Sequence, residues 1–302
     1  MMNKGIPSEV VKENPRINLK HLTILAVLLG GLIIVGTVIY SVYVLLMTLV
    51  ALVIGVLVEF LFQKIRKREY QINAGSFVTP LLFVVLMPPE LPLFIVAVGT
   101  FFGVFFGKMM FGGLGRNIFE PAIAAFLFVL VTFPNDVGAN FIDPLTGDVL
   151  PNAVAFEPTI LGLLLGEYAN SVGGTALLGV LVGGIILMVL RVIDWKIPLV
   201  MLASAVVFTF GFEFLYPGQF GDPIIALFQG QLMLVAFFVA TDPVTAPRTV
   251  KARIFYAIGI ALITIVIRGL ATASEGVIYA VIIMNAVGPM LEPAEDVKEK
   301  QE

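Results

Sequence analysis

Residues 21–62 read HLTILAVLLGGLIIVGTVIYSVYVLLMTLVALVIGVLVEFLF, and this stretch decides the fold. Apart from His21, Glu59 is the only acidic or basic residue in it. An α-helix rises about 1.5 Å per residue, so about 20 apolar residues cross the roughly 30 Å hydrocarbon layer of a membrane. The stretch therefore predicts two consecutive membrane-spanning helices, at 21–40 and 43–62.

The rest of the chain has the same apolar character. Of 302 residues, 59% are hydrophobic and 13% are charged, and the mean hydropathy is +1.03. A soluble core cannot bury that much apolar surface, so the sequence predicts an all-α polytopic membrane protein. About ten spans are predicted, at 21–40, 43–62, 75–88, 92–108, 117–134, 174–192, 197–216, 224–241, 254–270 and 276–291. The third span is short and ends at Pro88-Pro89, which predicts a broken or tilted helix.

Composition also limits the chemistry. Because the chain has no cysteine, it can form no disulfide, thiolate zinc site or iron–sulfur centre by itself. Its one histidine, His21, gives little support to a haem or metal site. The net charge of −3 does not indicate nucleic acid, and we expect no such partner. The start of the chain is polar and of mixed charge, so no cleavable signal is expected.

The basic residues predict orientation, because Lys and Arg are retained on the cytoplasmic side of a membrane. With both termini inside, Arg268 is the one basic residue left at the outer side. The loop 135–173 contains five acidic residues and no Lys or Arg, so it is expected outside. The predicted divisions, in the inner (plasma) membrane, are a cytoplasmic segment 1–20, a first membrane repeat 21–134, an extracytoplasmic loop 135–173, a second membrane repeat 174–291 and a cytoplasmic tail 292–302.

A faint internal repeat relates the two halves. Glu59, in VEFL, ends the second span, and Glu213, in FEFL, ends the seventh. Twenty-nine residues further on stand Pro88-Pro89 in the first half and Asp242-Pro243 in the second. A basic residue then follows late in the next span of each half, Lys108 or Arg268. Since the halves start on opposite sides, they resemble the inverted repeats of transporters. Chance similarity between short apolar motifs is the alternative.

A candidate cofactor anchor follows the acidic loop, where residues 170–175 read NSVGGT. Ser171, Gly173 and Gly174 are small, so we expect the Thr175 hydroxyl to be approachable. The free N–H groups of the helix start that follows favour a phosphate. An ordinary helix cap or turn is the alternative, since Ser or Thr beside Gly is common at helix starts.

Acidic residues within or beside the spans are candidates for an ion path, because a charge at the bilayer centre costs about 2.5–3.5 kcal/mol on insertion scales. The carboxylates concerned are Glu59, Glu120, Glu213 and Asp242. Together with carbonyls freed at broken helices, such oxygens suit a hard cation such as Na⁺. We take Glu59, Glu213 and Asp242 as the path. The alternative is a solvated helix end, or an ion pair with Lys108, Arg116 or Arg268.

Three separated blocks carry a family resemblance. They are KMMFGGLGRNIFEPA at 108–122, ATDPVTAP at 240–247 and EGVIYAVIIMNAVGP at 275–289. In this order they resemble the D subunits of Rnf complexes and the related B subunits of sodium-translocating NADH:quinone reductases. The resemblance runs from about residue 16 to residue 292.

The resemblance implies a membrane subunit, not catalytic alone, that carries FMN through a phosphoester on a threonine, at the position of Thr175. It implies electron transfer within a complex that couples ferredoxin and NAD to the pumping of Na⁺ or H⁺. The implied fold is two inverted five-helix repeats, as in urea transporters. Implied partners are other membrane, flavoprotein and iron–sulfur subunits, a flavin transferase and membrane lipids. A second, non-covalent flavin such as riboflavin is left open. A solute channel or carrier without redox activity is the alternative function.

Overall fold

The computed structural model describes residues 18–139, 141–142, 149–150, 160–166, 168, 170–271 and 275–292. Most of the predicted segments 1–20 and 292–302 lies outside these residues. Four acidic residues of the predicted loop also lie outside the described residues, namely Asp143, Asp148, Glu157 and Glu167.

The described residues form helices of very different lengths and one small hairpin. The helices of the first half are α1 (Leu19–Ile39), α2 (Tyr43–Ile65), α3 (Ala74–Leu86), α4 (Leu93–Phe102, continued as a π-helix at Gly103–Met109) and α5 (Pro121–Thr132). Between the halves lie α6 (Pro134–Ala139), the antiparallel strands β1 (Phe141–Ile142) and β2 (Val149–Leu150), α7 (Ile160–Leu165) and α8 (Val172–Thr175). The second half contains α9 (Leu177–Val189), α10 (Lys196–Leu215), α11 (Pro223–Phe228), α12 (Leu232–Leu234, continued as a π-helix at Val235–Val239), α13 (Val250–Ala271) and α14 (Gly276–Val287, followed by a 3-10 turn at Gly288–Leu291).

Four of the ten predicted spans form helices that are long and apolar enough to cross a membrane by themselves, namely α1, α2, α10 and α13. They fit the predicted helical, polytopic membrane protein. Five more spans form shorter apolar helices of 10–17 residues, and the span predicted at 224–241 is interrupted. Ten complete spans are therefore not confirmed. The hairpin β1–β2 is a further departure from an all-α chain.

The interruptions have local causes. Helix α3 ends at Leu86 because Met87 adopts extended backbone ahead of Pro88, and the residue before a proline disfavours helical backbone. In the second half, Gln229 leaves the helical conformation after α11, and Gly230 has a left-handed φ of +57°. Pro88-Pro89 predicts the first interruption from sequence, whereas the second was not predicted.

The two broken helices meet in the interior. The Gln231 side-chain amide donates to the Leu86 carbonyl at 2.9 Å, and the Val172 N–H donates to the Met87 carbonyl at 2.9 Å. Both carbonyls lie at the end of α3, where no next helical turn can satisfy them. Gln231 of the second half and Val172 of the connection between the halves therefore supply the donors that these buried backbone groups need. This crossing ties the halves together beside residues 170–175.

Polar side chains fix several helix starts. Asn18 and Asn73 cap α1 and α3 by accepting backbone N–H groups of their first turns. The Glu120 carboxylate accepts the Ile123 N–H at 2.8 Å, and Pro121 occupies the first position of α5. Both features define a helix start. Helix α5 consequently begins at residue 121 instead of the predicted 117.

Helix α1 separates two ends of the molecule. Asn18, before its first residue, lines a cavity with Asp242, whereas Tyr40, after its last residue, contacts Thr175. A helix of 21 residues places roughly 30 Å between them. We name the Asn18 side the basic end, because helix polarity puts every described Lys and Arg there except Arg268.

Large apolar side chains cover the outer faces of the spanning helices. Val38 of α1 is 82% exposed and Phe214 of α10 is 79% exposed. On the inner faces, Leu29 and Met47 are fully buried. Apolar surface of this extent is typical of a face that contacts lipid.

Candidate functional site

Thr175 ends the short helix α8 and lies two residues before α9. Its hydroxyl donates to the Ser171 carbonyl at 3.1 Å, and its oxygen contacts the Tyr40 hydroxyl. The residue is only 1% exposed, and the Tyr40 side chain above it is half-buried. The small residues before Thr175 predicted an approachable hydroxyl. In the structure Tyr40, which sequence reasoning did not consider, covers it.

The small residues beside Thr175 have packing roles. Ser171 caps α8, since its hydroxyl accepts the Gly174 N–H at 2.9 Å. A Cβ atom on Gly174 would lie 2.6 Å from the side chain of Asn170, and one on Gly173 would collide with Val85 of α3. Glycine is therefore required at both positions by close approach, which holds the Thr175 backbone against α3.

Asn170 and Tyr168 hold this turn against the second half. The Asn170 Nδ2 group donates to the Gly230 carbonyl at 2.8 Å, and its Oδ1 accepts the Ser171 N–H at 2.7 Å. The Tyr168 hydroxyl lies 2.8 Å from the Gly174 carbonyl. Single Tyr and Asn residues in a loop carry no periodic signal, so sequence alone assigned them no role.

The chemistry of this site fits a phosphoester. Thr175 supplies an alcohol oxygen, and Tyr40 places a second hydroxyl beside it. The first N–H groups of α9 have no acceptor within the helix, and such groups favour a phosphate. Leu178, in that first turn, is 56% exposed. The Tyr40 hydroxyl contacts the Thr175 oxygen, so access to that oxygen requires the Tyr40 side chain to move away.

A second polar site lies at the basic end. A cavity of about 50 Å³ is lined by residues of both halves, including Lys108, Glu120 and Asp242, and it is large enough for water. Glu120 is 4% exposed. The Asp242 carboxylate accepts the Thr245 N–H and hydroxyl, each at 3.0 Å. Two carboxylates and one ammonium group therefore line a single cavity between the halves.

Glu59 lies beside this cavity in a buried ion pair. The Lys108 Nζ atom lies 2.6 Å from Glu59 Oε1 and 2.6 Å from the Gly75 carbonyl oxygen. The Ser76 hydroxyl donates to the other Glu59 oxygen at 2.7 Å. Glu59, Lys108 and Ser76 are each at most 5% exposed. Removing either charge would leave the other buried without compensation.

Glu213 lies at the opposite end, near the end of α10. Its carboxylate accepts the N–H groups of Phe220 and Gly221, each at 2.8 Å, and also that of Gly218. It thereby closes the turn that follows the helix. The structure places the predicted ion-path residues in two groups, with Glu59 and Asp242 at the basic end and Glu213 at the other.

Comparison with known proteins identifies the family. The model of the NQR2, RnfD, RnfE family matches residues 10–299. The chain belongs to this family. The resemblance found in the three sequence blocks is thereby confirmed, and it extends over almost the whole chain.

Three relatives illustrate the similarity. The D subunit of the Na(+)-translocating ferredoxin:NAD(+) oxidoreductase complex of Acetobacterium woodii is 33% identical over 301 residues, covering 93% of this chain and 92% of the relative. The D subunit of the proton-translocating ferredoxin:NAD(+) oxidoreductase complex of Clostridium ljungdahlii is 30% identical over 273 residues, covering 84% and 82%. The D subunit of an ion-translocating oxidoreductase complex of Vibrio cholerae is 29% identical over 318 residues, covering 89% and 90%. Two of these names specify different ions.

Proposed function

We propose that this chain is the D subunit of an ion-translocating ferredoxin:NAD⁺ oxidoreductase complex and carries FMN as a phosphoester on Thr175. Two relatives with that function in their names align over most of both chains. The observation that carries the flavin assignment is the Thr175 hydroxyl, fixed at the crossing of the halves ahead of the α9 N-terminus. Bound FMN supplies redox chemistry. The expected partners are the other membrane, flavoprotein and iron–sulfur subunits, together with a flavin transferase.

The residues around Thr175 have separate roles in the proposed FMN site. Thr175 supplies the ester oxygen, and the Ser171 cap and Gly174 fix the backbone from which it projects. Once Tyr40 has moved off the Thr175 oxygen, its hydroxyl can donate to a phosphate there. The N-terminus of α9 offsets part of the negative charge. Because the turn is bonded to both broken helices, the anchor keeps its position relative to both halves.

The cavity at the basic end is the proposed entrance of the ion path. Asp242 and Glu120 supply carboxylate oxygens from different halves, and Glu59 with Lys108 provides a buried charge pair next to them. Glu213 is the proposed carboxylate at the other end of the path. Of two relatives, one is named for Na⁺ and the other for protons, and the proposed path has carboxylates that suit either ion.

The fold proposed is two inverted five-helix repeats, similar to urea transporters. Several structural correspondences support it. Helix α2 packs on α4 as α10 packs on α13, and α4 packs on α5 as α13 packs on α14. A basic residue of each half donates to a carbonyl of its interrupted segment: Lys108 to that of Gly75, in the first turn of α3, and Arg268 to that of Gln229, directly after α11. Three of the residue pairs related by the repeat are 154 or 155 positions apart, namely Glu59 with Glu213, Gly75 with Gln229, and Glu120 with Glu275, whereas Lys108 and Arg268 are 160 positions apart.

A non-covalent flavin such as riboflavin is proposed between the halves, where its ring would have to widen the cavity of about 50 Å³ at the basic end. Asn117, Lys108 and Asp242 offer the amide, ammonium and carboxylate groups that could bind the polar edge of a flavin ring there. Acid extraction separates the two kinds of flavin, since the phosphoester-linked FMN stays with the protein. An extract of the purified native complex without flavin would remove this part of the proposal.

We also place both termini and the basic end in the cytoplasm, and residues 135–173 outside the plasma membrane. The clustering of Lys and Arg at one end supports this orientation.

Purification from native membranes tests membership of the complex. A tagged chain is expected to copurify with flavoprotein and iron–sulfur subunits and with ferredoxin-dependent NAD⁺ reduction. A colourless, unmodified protein that purifies alone and conducts a solute in vesicles would favour the channel or carrier alternative.

A further inference from the structure

A second, larger cavity at the basic end has a strongly basic lining. Its volume is about 510 Å³, and it lies between the α9–α10 connection, the segment 241–247 and the start of α13. The basic residues that line it are Arg191, Lys196 and Arg253, and the acidic residue that lines it is Asp194. The described lining therefore has a net charge of +2.

The charges of this cavity are only partly neutralised by one another. Asp194 pairs with the Arg253 guanidinium and, at 3.4 Å, with Lys196 Nζ. Burial acts to raise the pKa of the Asp194 carboxyl, but the Lys196 N–H and Arg253 outweigh it and lower that pKa below its usual value. Among the described residues, the exposed Arg191 guanidinium has no hydrogen-bond or ion-pair partner. Arg191 also has a left-handed φ of +55°, which is uncommon for arginine.

The cavity lies next to surface that is suited to lipid. Trp195, in its lining, is 54% exposed, and Leu190 and Leu199 on either side are 50% and 60% exposed. Tryptophan is enriched where a membrane meets water. The Lys196 ammonium lies 5.3 Å from the centre of the Trp195 ring, so charge and apolar surface are adjacent here.

We propose that this cavity binds the phosphate headgroup of an anionic phospholipid from the leaflet at the basic end. Arg191 and Lys196 would bind the phosphate oxygens, as arginine and lysine do in basic pockets between membrane helices. The exposed Trp195 and Leu199 would contact the glycerol and acyl chains. A lipid fits better than free phosphate because the charged cavity is continuous with the apolar outer surface.

The lipid would support the segment that positions Asp242. Pro243 lines both cavities of the basic end. Thr241 and Ala246 line the larger cavity, of about 510 Å³, whereas Asp242 and Val244 line the smaller cavity, of about 50 Å³, together with Glu120. The segment 241–247 is thus the wall between them. Occupation of one cavity should slow hydrogen exchange of this wall.

The test uses the full-length chain purified in detergent, with dioleoyl phosphatidylglycerol as the anionic probe and dioleoyl phosphatidylcholine as the zwitterionic probe. Native mass spectrometry measures the bound fraction of each. Arg191→Gln/Lys196→Gln is expected to weaken phosphatidylglycerol binding by about tenfold or more, because each basic residue near a headgroup contributes about a factor of five.

A matched control removes two charges elsewhere at the same end. Lys67 and Arg68 are exposed and line neither cavity, and Lys67 shares the left-handed backbone of Arg191, with φ +56°. Lys67→Gln/Arg68→Gln is expected to leave phosphatidylglycerol binding unchanged. If the Arg191→Gln/Lys196→Gln protein does not fold, Arg191→Gln alone serves, with a several-fold loss expected.

Several results would overturn the proposal. They are equal binding of the two lipids by the wild-type chain, undiminished phosphatidylglycerol binding by the cavity variant, and an equal loss in the control. Inorganic phosphate that displaces phosphatidylglycerol at comparable concentration would assign the cavity to a free anion. Slow hydrogen exchange of 241–247 in the lipid-free assembled complex would assign the cavity to another protein of the complex. The lipid site is supported if hydrogen exchange of 241–247 slows only when phosphatidylglycerol is added. The slowing should occur in the wild-type chain and in the Lys67→Gln/Arg68→Gln control, but not in Arg191→Gln/Lys196→Gln.

Discussion

The Tyr40 hydroxyl contacts the Thr175 oxygen across 135 residues of sequence. This contact joins the end of α1 to the turn that opens the second half. It puts the candidate flavin residue where the halves meet, and it explains why an alcohol beside two glycines is buried. The threonine proposed to carry FMN is thus in contact with the Tyr40 hydroxyl.

Tyr40 is expected to control access to Thr175. Tyr40→Ala should accelerate FMN attachment in a timed reaction with the flavin transferase, because the cover over the oxygen is gone. Tyr40→Phe keeps the ring and should attach FMN at a rate close to wild type, while losing about 1 kcal/mol of stability with the hydroxyl. In-gel flavin fluorescence against time gives the rates. Equal rates in all three proteins would show that Tyr40 does not limit access.

Removing one partner of the buried Glu59–Lys108 pair should destabilise the protein more than removing both partners. Glu59→Gln or Lys108→Met is expected to lower the free energy of unfolding by about 3–5 kcal/mol, because each variant leaves the other charge buried without its partner. The double variant should recover much of that loss. Thermal unfolding followed by size-exclusion chromatography measures the effect. Additive losses in the double variant would mean that the two charges do not interact.

Asp242 and Glu213 should affect ion transport without affecting flavin attachment. Asp242→Asn and Glu213→Gln are each expected to slow ion-coupled turnover, since each removes a charged oxygen ligand from the proposed path. The measurement is ²²Na⁺ uptake, with ΔpH as the H⁺ alternative, alongside ferredoxin-dependent NAD⁺ reduction in vesicles containing the assembled complex.

Glu213 also closes a turn, so its variant needs a second readout. A lower melting temperature with unchanged turnover and ion dependence would leave Glu213 as a structural residue only. Unchanged turnover, ion dependence and pumping ratio in both variants would remove Asp242 and Glu213 from the path.

The orientation can be measured with single cysteines, since the chain has none of its own. Asp148→Cys is expected to react with an impermeant maleimide in intact cells, and Lys67→Cys is expected to react only after the membrane is opened. Labelling of Lys67→Cys but not Asp148→Cys in intact cells would reverse the topology.

Hydropathy predicted the long helices well because length and composition decide them. Helices α1 and α10 begin and end within two residues of the predicted bounds. The break between α11 and α12 was missed, because residues 224–240 are apolar throughout except for Gln229, Gly230 and Gln231. Those three residues were a usable signal. A glycine between two polar amides supplies both the backbone freedom and the hydrogen-bond groups that a helix break requires.

The site was only partly predictable. Thr175 and its neighbours could be singled out from local sequence, and the ion pair with Lys108 that was considered for Glu59 is present in the structure. The cover by Tyr40 depends on how α1 packs against the second half, which no local pattern encodes. The cavity between Glu120 and Asp242 likewise requires two segments more than one hundred residues apart to meet.

The most direct test of the account is the mass and fluorescence of the chain after co-expression with its flavin transferase. The wild-type chain should gain the mass of one FMN less one water and fluoresce in a denaturing gel, and Thr175→Ala should do neither. Thr209→Ala is the control, since Thr209 is equally buried at 1% and also donates to a carbonyl four residues earlier; it should remain fully flavinylated. Fluorescence that persists in Thr175→Ala, or an unmodified wild-type mass, would contradict the assignment.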